Sequence, residues 1–80
     1  PPAERRILAL DELPPEIRRS LPPLAVSGSI YSDDAASRFV MINGEAVHEG
    51  GRITPELTLE QIRLKSAVLR YKGYRYRIPL

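Results

Sequence analysis

Two stretches of this chain alternate apolar and polar side chains at a spacing of two residues, which is typical of β-strands. The first is LAVSGSIYS, residues 24–32, and the second is AVLRYKGYRYRIPL, residues 67–80. Gly28 in the middle of the first stretch has no side chain, so another backbone or side chain can approach closely there. Both stretches predict strands.

A third stretch, LTLEQIRLK at residues 57–65, is ambiguous. Its alternation shifts phase once across Glu60 and Gln61, which a strand with a bulge explains. The preceding Thr54, Pro55 and Glu56 also suit the start of a helix. Periodicity alone leaves strand and helix open.

Glycine-containing turns divide the strands. Asn43-Gly44, between apolar runs, predicts a type I′ hairpin turn, because both central residues of that turn need positive φ. A two-residue loop pairs Ile42 with Glu45, Met41 with Ala46, Val40 with Val47 and Phe39 with His48. The sequence EGG at 49–51 predicts a second turn, and Asp33-Asp34 a third, in which the carboxylates bond their own backbone.

The last stretch predicts a hairpin about Lys72 and Gly73. The shortest loop places Tyr71 opposite Tyr74 and separates the strands into two faces, as expected of a half-buried antiparallel pair. One face carries Ala67, Leu69, Tyr71, Tyr74, Tyr76, Ile78 and Leu80, and the other carries Val68, Arg70, Arg75 and Arg77.

The first 23 residues predict an arm or linker. Four of the eight prolines lie in LPPEIRRSLPP, where Pro14 and Pro15 suit a first helical turn and Pro22 stops the helix. We expect a short helix at about residues 14–20, docked by Leu13, Ile17 and Leu21. The whole chain then predicts an all-β domain: a small antiparallel β-sandwich or partly open barrel of about six or seven short strands after a proline-rich arm.

Composition adds a charge asymmetry. Residues 1–60 contain six Lys or Arg and ten Asp or Glu, a balance of −4, whereas residues 61–80 contain six basic residues and no acidic one, a balance of +6. A basic segment is a hint of an acidic partner. The chain has no cysteine and no run of apolar residues long enough to span a membrane. The opening PPAERR without an initiator methionine indicates a fragment or a processed product.

Candidate chemistry is sparse. His48 is the single histidine, and with Glu49 beside it the chain still lacks a matching nucleophile and pocket for a hydrolytic site. Asp33 and Asp34 are too few for an oxygen-ligand cage, and EGGR lacks the spacing of a phosphate-binding loop. We therefore expect no enzyme, no cofactor and no metal.

Two binding functions are open. A single-stranded nucleic-acid-binding β-barrel would use the basic, tyrosine-rich C-terminal hairpin, but the predicted register places the rings and the arginines on opposite faces. Protein recognition by strand addition would use an exposed sheet edge. VSGSIYS suits that role, because the small uncharged side chains on one of its faces let a partner strand lie flat against it.

Three motifs together resemble a known family: LP.L..SG.IYS, RFV.ING....EG..I and LRY.G.R.R.PL. Over residues 21–80 the chain resembles the C-terminal periplasmic domain of type II secretion system protein B, GspB. It departs from the family's pattern at Gly51, where an acidic residue is expected, and in LKSAV, which lacks the expected tighter turn.

The resemblance implies a fold and a role. Residues 1–20 would be the end of a linker that includes a short helix, and residues 21–80 a periplasmic β domain similar to the homology region of protein C and to PilP. The segment TLEQIRLK would be a strand. Members are inner-membrane proteins whose domain binds the periplasmic N-terminal domain of the outer-membrane secretin (protein D) and supports its assembly or stability. They act alongside a partner ATPase, GspA, through other parts of the full-length protein.

The resemblance also suggests where a partner would bind. In related domains the first strand is available for pairing with a secretin strand, and the basic face is the second candidate. The expected contact residues are Val26, Ser27, Gly28, Ser29, Ile30, Tyr31 and Ser32, followed by Arg70, Arg75 and Arg77.

Overall fold

Short strands make up most of the protein. A computed structural model describes residues 6–80. The elements in chain order are β1 (Ile7–Ala9), a 3₁₀ turn (Leu10–Glu12), α1 (Pro15–Ser20), β2 (Val26–Ile30), a 3₁₀ turn (Ala35–Ser37), β3 (Phe39–Ile42), β4 (Glu45–Val47), β5 (Arg52–Thr54), β6 (Leu57–Ile62), β7 (Ser66–Tyr71) and β8 (Tyr74–Pro79).

The strands form two sheets that pack face to face. The five-stranded sheet has the order β1-β8-β7-β6-β5, and the three-stranded sheet has the order β2-β3-β4. Neighbouring strands are antiparallel except β1 and β8, which are parallel. The predicted all-β class is therefore confirmed, with eight described strands where six or seven were expected.

Both predicted hairpin registers are confirmed. Asn43 and Gly44 have φ of 52° and 83°, and Lys72 and Gly73 have φ of 49° and 84°. These positive values are the ones that a type I′ turn requires. The observed partners are Val40 with Val47, Met41 with Ala46 and Ile42 with Glu45 in the first hairpin, and Ala67 with Ile78, Leu69 with Tyr76 and Tyr71 with Tyr74 in the second.

The ambiguous third stretch forms a strand, β6, as far as Ile62, and residues 63–65 lie in the turn that follows. Its pairing with β7 shifts register between Leu59 and Gln61, so the phase slip at Glu60 marks a bulge. The alternative helix start at Thr54 is wrong. The hydroxyl of Thr54 instead accepts a hydrogen bond from the main-chain N–H of Glu56 at 3.3 Å, which closes the tight turn between β5 and β6.

The turn before β5 explains the glycine at position 51. A Cβ atom added to Gly51 would lie 2.8 Å from the carbonyl oxygen of His48 and 2.9 Å from Cγ1 of Val47. In the same turn, the main-chain N–H of Gly51 donates to His48 O at 2.8 Å. The tight backbone here leaves no room for the acidic side chain that the family resemblance led us to expect.

The hydrophobic core lies between the two sheets. The small sheet contributes Val40 and Ile42, which are almost fully buried. Most of the rest comes from β6, β7 and β8, in agreement with the predicted inner face of the C-terminal hairpin. The core residues are Leu8, Leu13, Val40, Ile42, Leu57, Leu59, Ile62, Ala67, Leu69, Tyr71 and Tyr76.

Val68 is buried on the opposite face of the five-stranded sheet. It is 0% exposed although it shares that face with exposed Arg70 and Arg77. Its cross-strand partners are Gln61 and Arg77, and long polar side chains shield apolar surface with their aliphatic portions. The predicted separation of faces holds, but the arginine face has an apolar centre.

The predicted short helix is present as α1 and is docked on the domain. Leu13, just before it, is 2% exposed, and Ile17 and Leu21 pack against the core. The hydroxyl of Tyr71 donates to the carbonyl oxygen of Ser20 at 2.9 Å, which ties the end of α1 to β7.

The range predicted as linker also contains an unexpected strand. Residues 7–9 form β1, which pairs in parallel with residues 75–77 of β8, and Leu8 joins the core. Pairing with β8 provides this segment with main-chain hydrogen bonds and at the same time buries the Leu8 side chain. Residues 1–5 of the predicted linker lie outside the described residues, and the linker boundary in the full-length protein stays a prediction.

We expect Tyr71→Phe to destabilise the domain by about 1 kcal/mol, because it removes the hydrogen bond to the main chain of Ser20. Urea unfolding followed by circular dichroism measures the change. Tyr74→Phe is the matched control, because the Tyr74 hydroxyl makes no hydrogen bond within residues 6–80. Equal stability of the two variants would contradict an anchoring role for the Tyr71 hydroxyl.

Stability should also fall in alkaline solution through Tyr76. Burial, with a smaller contribution from Tyr71, raises the pKa of Tyr76 to about 12, whereas an unfolded tyrosine has a pKa of about 10. Between these values the unfolded state releases the proton that the folded state retains. The contribution of protonated Tyr76 to folding stability is therefore complete below about pH 10 and is lost as the pH rises towards 12.

Tyr76→Phe should flatten this dependence. Urea midpoints at pH 8, 10 and 11 for both proteins measure the difference. A parallel decline of the two proteins would assign the loss to other groups.

Candidate functional site

Strand β2 forms an edge of the small sheet. It pairs with β3, and among the described residues no strand pairs with its other side. All five of its residues are exposed, including Ile30 with 51% of its surface accessible. An edge of this kind presents main-chain N–H and C=O groups that another chain can pair with.

The face of β2 at Gly28 is also uncovered by other described parts of the chain. A Cβ atom added to Gly28 would meet nothing within 4 Å, so packing within the chain does not require a glycine there. The pairing of β2 with β3 shifts register between Val26 and Gly28, which makes Ser27 the extra residue of a bulge. The small side chains predicted for this strand thus lie on an uncovered surface.

Asn43 holds the start of β2. Its side-chain Oδ1 accepts a hydrogen bond from the main-chain N–H of Ala25 at 2.8 Å. Its own main-chain N–H donates to the carbonyl oxygen of Ala25 at 2.9 Å. The residue that makes the β3–β4 turn therefore also positions the edge strand, a role that the turn motif alone did not indicate.

Arg38 holds the end of β2 and the two residues that follow. Its guanidinium donates to the carbonyl oxygen of Ser32 at 2.6 Å and lies 4.4 Å from the centre of the Tyr31 ring. On its other side it forms a half-buried ion pair of 3.4 Å with Glu49. Glu49 also accepts a hydrogen bond from the main-chain N–H of Ile62 at 2.7 Å, which links this anchor to the large sheet.

The seven predicted contact residues thus form one continuous segment. Five of them make up β2, and Tyr31 and Ser32 lie in the segment that Arg38 anchors. Sequence reasoning missed both anchoring residues. Arg38 directly precedes β3, and its position at the base of the hairpin is the signal that could have identified it.

The three predicted arginines lie elsewhere, on the outer face of the large sheet. Glu60 accepts from the Nε of Arg75 at 2.7 Å and forms an ion pair of 3.1 Å with Arg70. Arg77 donates to the carbonyl oxygen of Ile7 at 3.2 Å. The two candidate surfaces are therefore on different sheets, and Glu60 partly neutralises the second one.

The tyrosines of the last hairpin face the core. Tyr71 and Tyr76 are 4% and 1% exposed, whereas the neighbouring arginines lie on the opposite face. A platform that stacks bases needs rings and cations on one accessible surface. The geometry does not support the nucleic-acid alternative.

The remaining candidate groups are not assembled into a site. His48 is exposed and lies beside Phe39, with ring centres 5.8 Å apart. Asp34 caps a 3₁₀ turn through a hydrogen bond from Ala36 N–H at 3.1 Å. Within residues 6–80, no group of three His, Asp or Glu side chains could hold a metal ion. No helix in that range has the length and apolar character needed to cross a membrane.

Comparison with known proteins identifies the family. The family model described as Type II secretion system protein B matches residues 21–80. General secretion pathway protein B of Aeromonas hydrophila is 32% identical over 71 residues, which are 89% of this chain and 31% of that protein. The chain therefore spans about a third of the length of this relative.

A solved structure shows the same fold. It is the crystal structure of Dickeya dadantii GspB from the type 2 secretion system, which matches with a TM-score of 0.68 and 27% identity. The match covers 70% of this chain and 67% of that one. By the family match over residues 21–80 and the agreement in fold, the chain belongs to the type II secretion system protein B family.

Proposed function

We propose that this domain is a non-enzymatic protein-interaction module that binds the periplasmic N-terminal domain of the outer-membrane secretin. The binding would support assembly or stability of the secretin channel. The observation that carries the proposal is the edge of β2, with which no further strand of residues 6–80 pairs and which is exposed along its whole length. The family membership supplies the setting, a secretion system.

Strand addition suits this edge for physical reasons. Main-chain hydrogen bonds provide affinity in this mode, and side-chain pockets provide specificity. Gly28 has no side chain, and the side chains of Ser27 and Ser29 are too small to obstruct a neighbouring strand. Asn43 and Arg38 hold the two ends of the segment, so less conformational entropy is lost when a partner binds.

The full-length protein would be an inner-membrane protein that places this domain in the periplasm. Its membrane anchor would lie outside this chain, and the partner ATPase GspA would be engaged through other parts of the protein. The basic face of Arg70, Arg75 and Arg77 is the second candidate surface for the secretin. It is favoured less, because Glu60 pairs with two of the three arginines.

An NMR titration of the ¹⁵N-labelled domain with the secretin N-terminal domain tests the proposal. We expect shifts of amide signals concentrated at residues 26–32. Ser29→Pro should weaken binding at least tenfold, because proline lacks the N–H that donates to a sheet ladder. Ala46→Pro on β4, the opposite edge of the same sheet, is the matched control and should bind like the wild type.

Circular dichroism of each variant confirms that it is folded before affinities are compared. Shifts concentrated at residues 70–77, with loss of binding in an Arg70→Gln/Arg77→Gln variant, would move the interface to the basic face. An absence of shifts anywhere would refute secretin binding by this domain.

A further inference from the structure

An apolar cavity of about 360 Å³ lies beside the start of β2. Its floor comes from Tyr76 and Ile78 on the inner face of β8. Its walls come from the segment between β1 and β2 and from Val26, the first residue of β2. Leu10 and Val26 lie at the mouth, where they are 43% and 38% exposed. Among the apolar residues that line the cavity are Leu10, Leu21, Leu24, Val26, Tyr76 and Ile78.

The position of the cavity relates it to the free edge of the small sheet. Val26 is the first residue of β2, and no residue of β3 or β4 lines the cavity. The cavity therefore lies away from the paired side of β2, in the opening between this edge and β8 of the other sheet. A strand that pairs with the free edge of β2 would pass over the mouth and direct every second side chain inward.

Arg18 gives the cavity its charge. It is the charged residue among those that line it, and it lies in the last turn of α1. Its Nη1 donates to the carbonyl oxygen of Asp11 at 3.3 Å, and a guanidinium has five N–H donors in all. A carboxylate brought to the mouth of the cavity would meet a complementary charge.

We propose that the cavity accepts one Leu- or Phe-sized side chain from an extended segment that pairs with β2, and that an acidic residue of the same segment pairs with Arg18. This inference rests on the strand pairing proposed above and specifies which strand is accepted. An apolar cavity of about 150 Å³ holds a benzene ring, so the volume here, which includes an open mouth, has room for one such side chain.

Capped nonapeptides of the sequence TSETXTETS test the cavity without the secretin. X is Leu, Phe or Asn, and the acidic residues two positions away lie on the same side of the extended peptide. We expect the Leu and Phe peptides to shift the amide signals of Leu24, Val26 and Ile78 and to bind roughly tenfold more tightly than the Asn peptide. Equal binding of the three peptides, or no binding at millimolar concentration, would overturn the proposal.

Matched variants locate the effect. Leu10→Trp should fill the mouth and weaken binding of the Leu peptide at least fivefold. Leu64→Trp is the matched control, because Leu64 is also an exposed leucine, with 69% of its surface accessible, and lies outside the cavity. It should leave binding unchanged. Arg18→Gln should remove the preference for this peptide over one with Gln at both acidic positions. Arg19→Gln on the same helix, outside the cavity, should retain it.

The same variants titrated with the secretin N-terminal domain separate this inference from the proposed function. If the wild type binds through residues 26–32 and Leu10→Trp binds equally well, strand pairing stands and the cavity has no role in it. If the secretin domain does not bind but the Leu peptide does, the cavity stands and the partner is a different protein. Leu10 is exposed, so Leu10→Trp should fold, which circular dichroism checks.

Discussion

The register of the β7–β8 hairpin is the constraint on which the rest of the structure depends. Lys72 and Gly73 adopt positive φ, and the two-residue turn then places Leu69 opposite Tyr76. A slip of one residue would exchange the faces of the strand and bring arginines into the core. Because β6 pairs with β7 and β1 pairs with β8, the whole large sheet follows from this register.

The small sheet depends on the large one for burial. Val40 and Ile42 find their apolar partners across the interface between the sheets, on the inner face of β6, β7 and β8. Glu49 joins the two sheets through its contacts with Arg38 and with the main chain of Ile62. The edge strand β2 is thus held at both ends by polar contacts while its own side chains are left outside the core.

This arrangement separates the hydrophobic core from the edge that we propose as the binding surface. The buried hydrophobic residues lie on β3 and β6–β8, on β1 and just before α1, whereas all of β2 is exposed. Substitutions on the edge should therefore leave the core almost unchanged. The cavity beside Val26 lies at the boundary of the two regions, because its floor is formed by core residues and its mouth by residues open to solvent.

Local chemistry in the sequence determined much of this protein. Asn43-Gly44 and Lys72-Gly73 specify their turns through positive φ, and alternation then assigns each flanking side chain to a face. These turns and faces are predictable because each depends on neighbouring residues. The phase slip at Glu60 left strand and helix open, and the pairing of β6 with β7 decided for a bulged strand.

Only the tertiary structure decided the rest. The parallel pairing of β1 with β8 joins residues about 70 positions apart, and no local pattern encodes such a contact. The hydrogen bonds by which Asn43 and Arg38 hold the two ends of the β2 segment form only once the sheet has formed. The cavity exists because α1 and the segment before β2 pack over β8 without filling the space beside it. This packing depends on residues far apart in the chain, so no local sequence pattern predicts it.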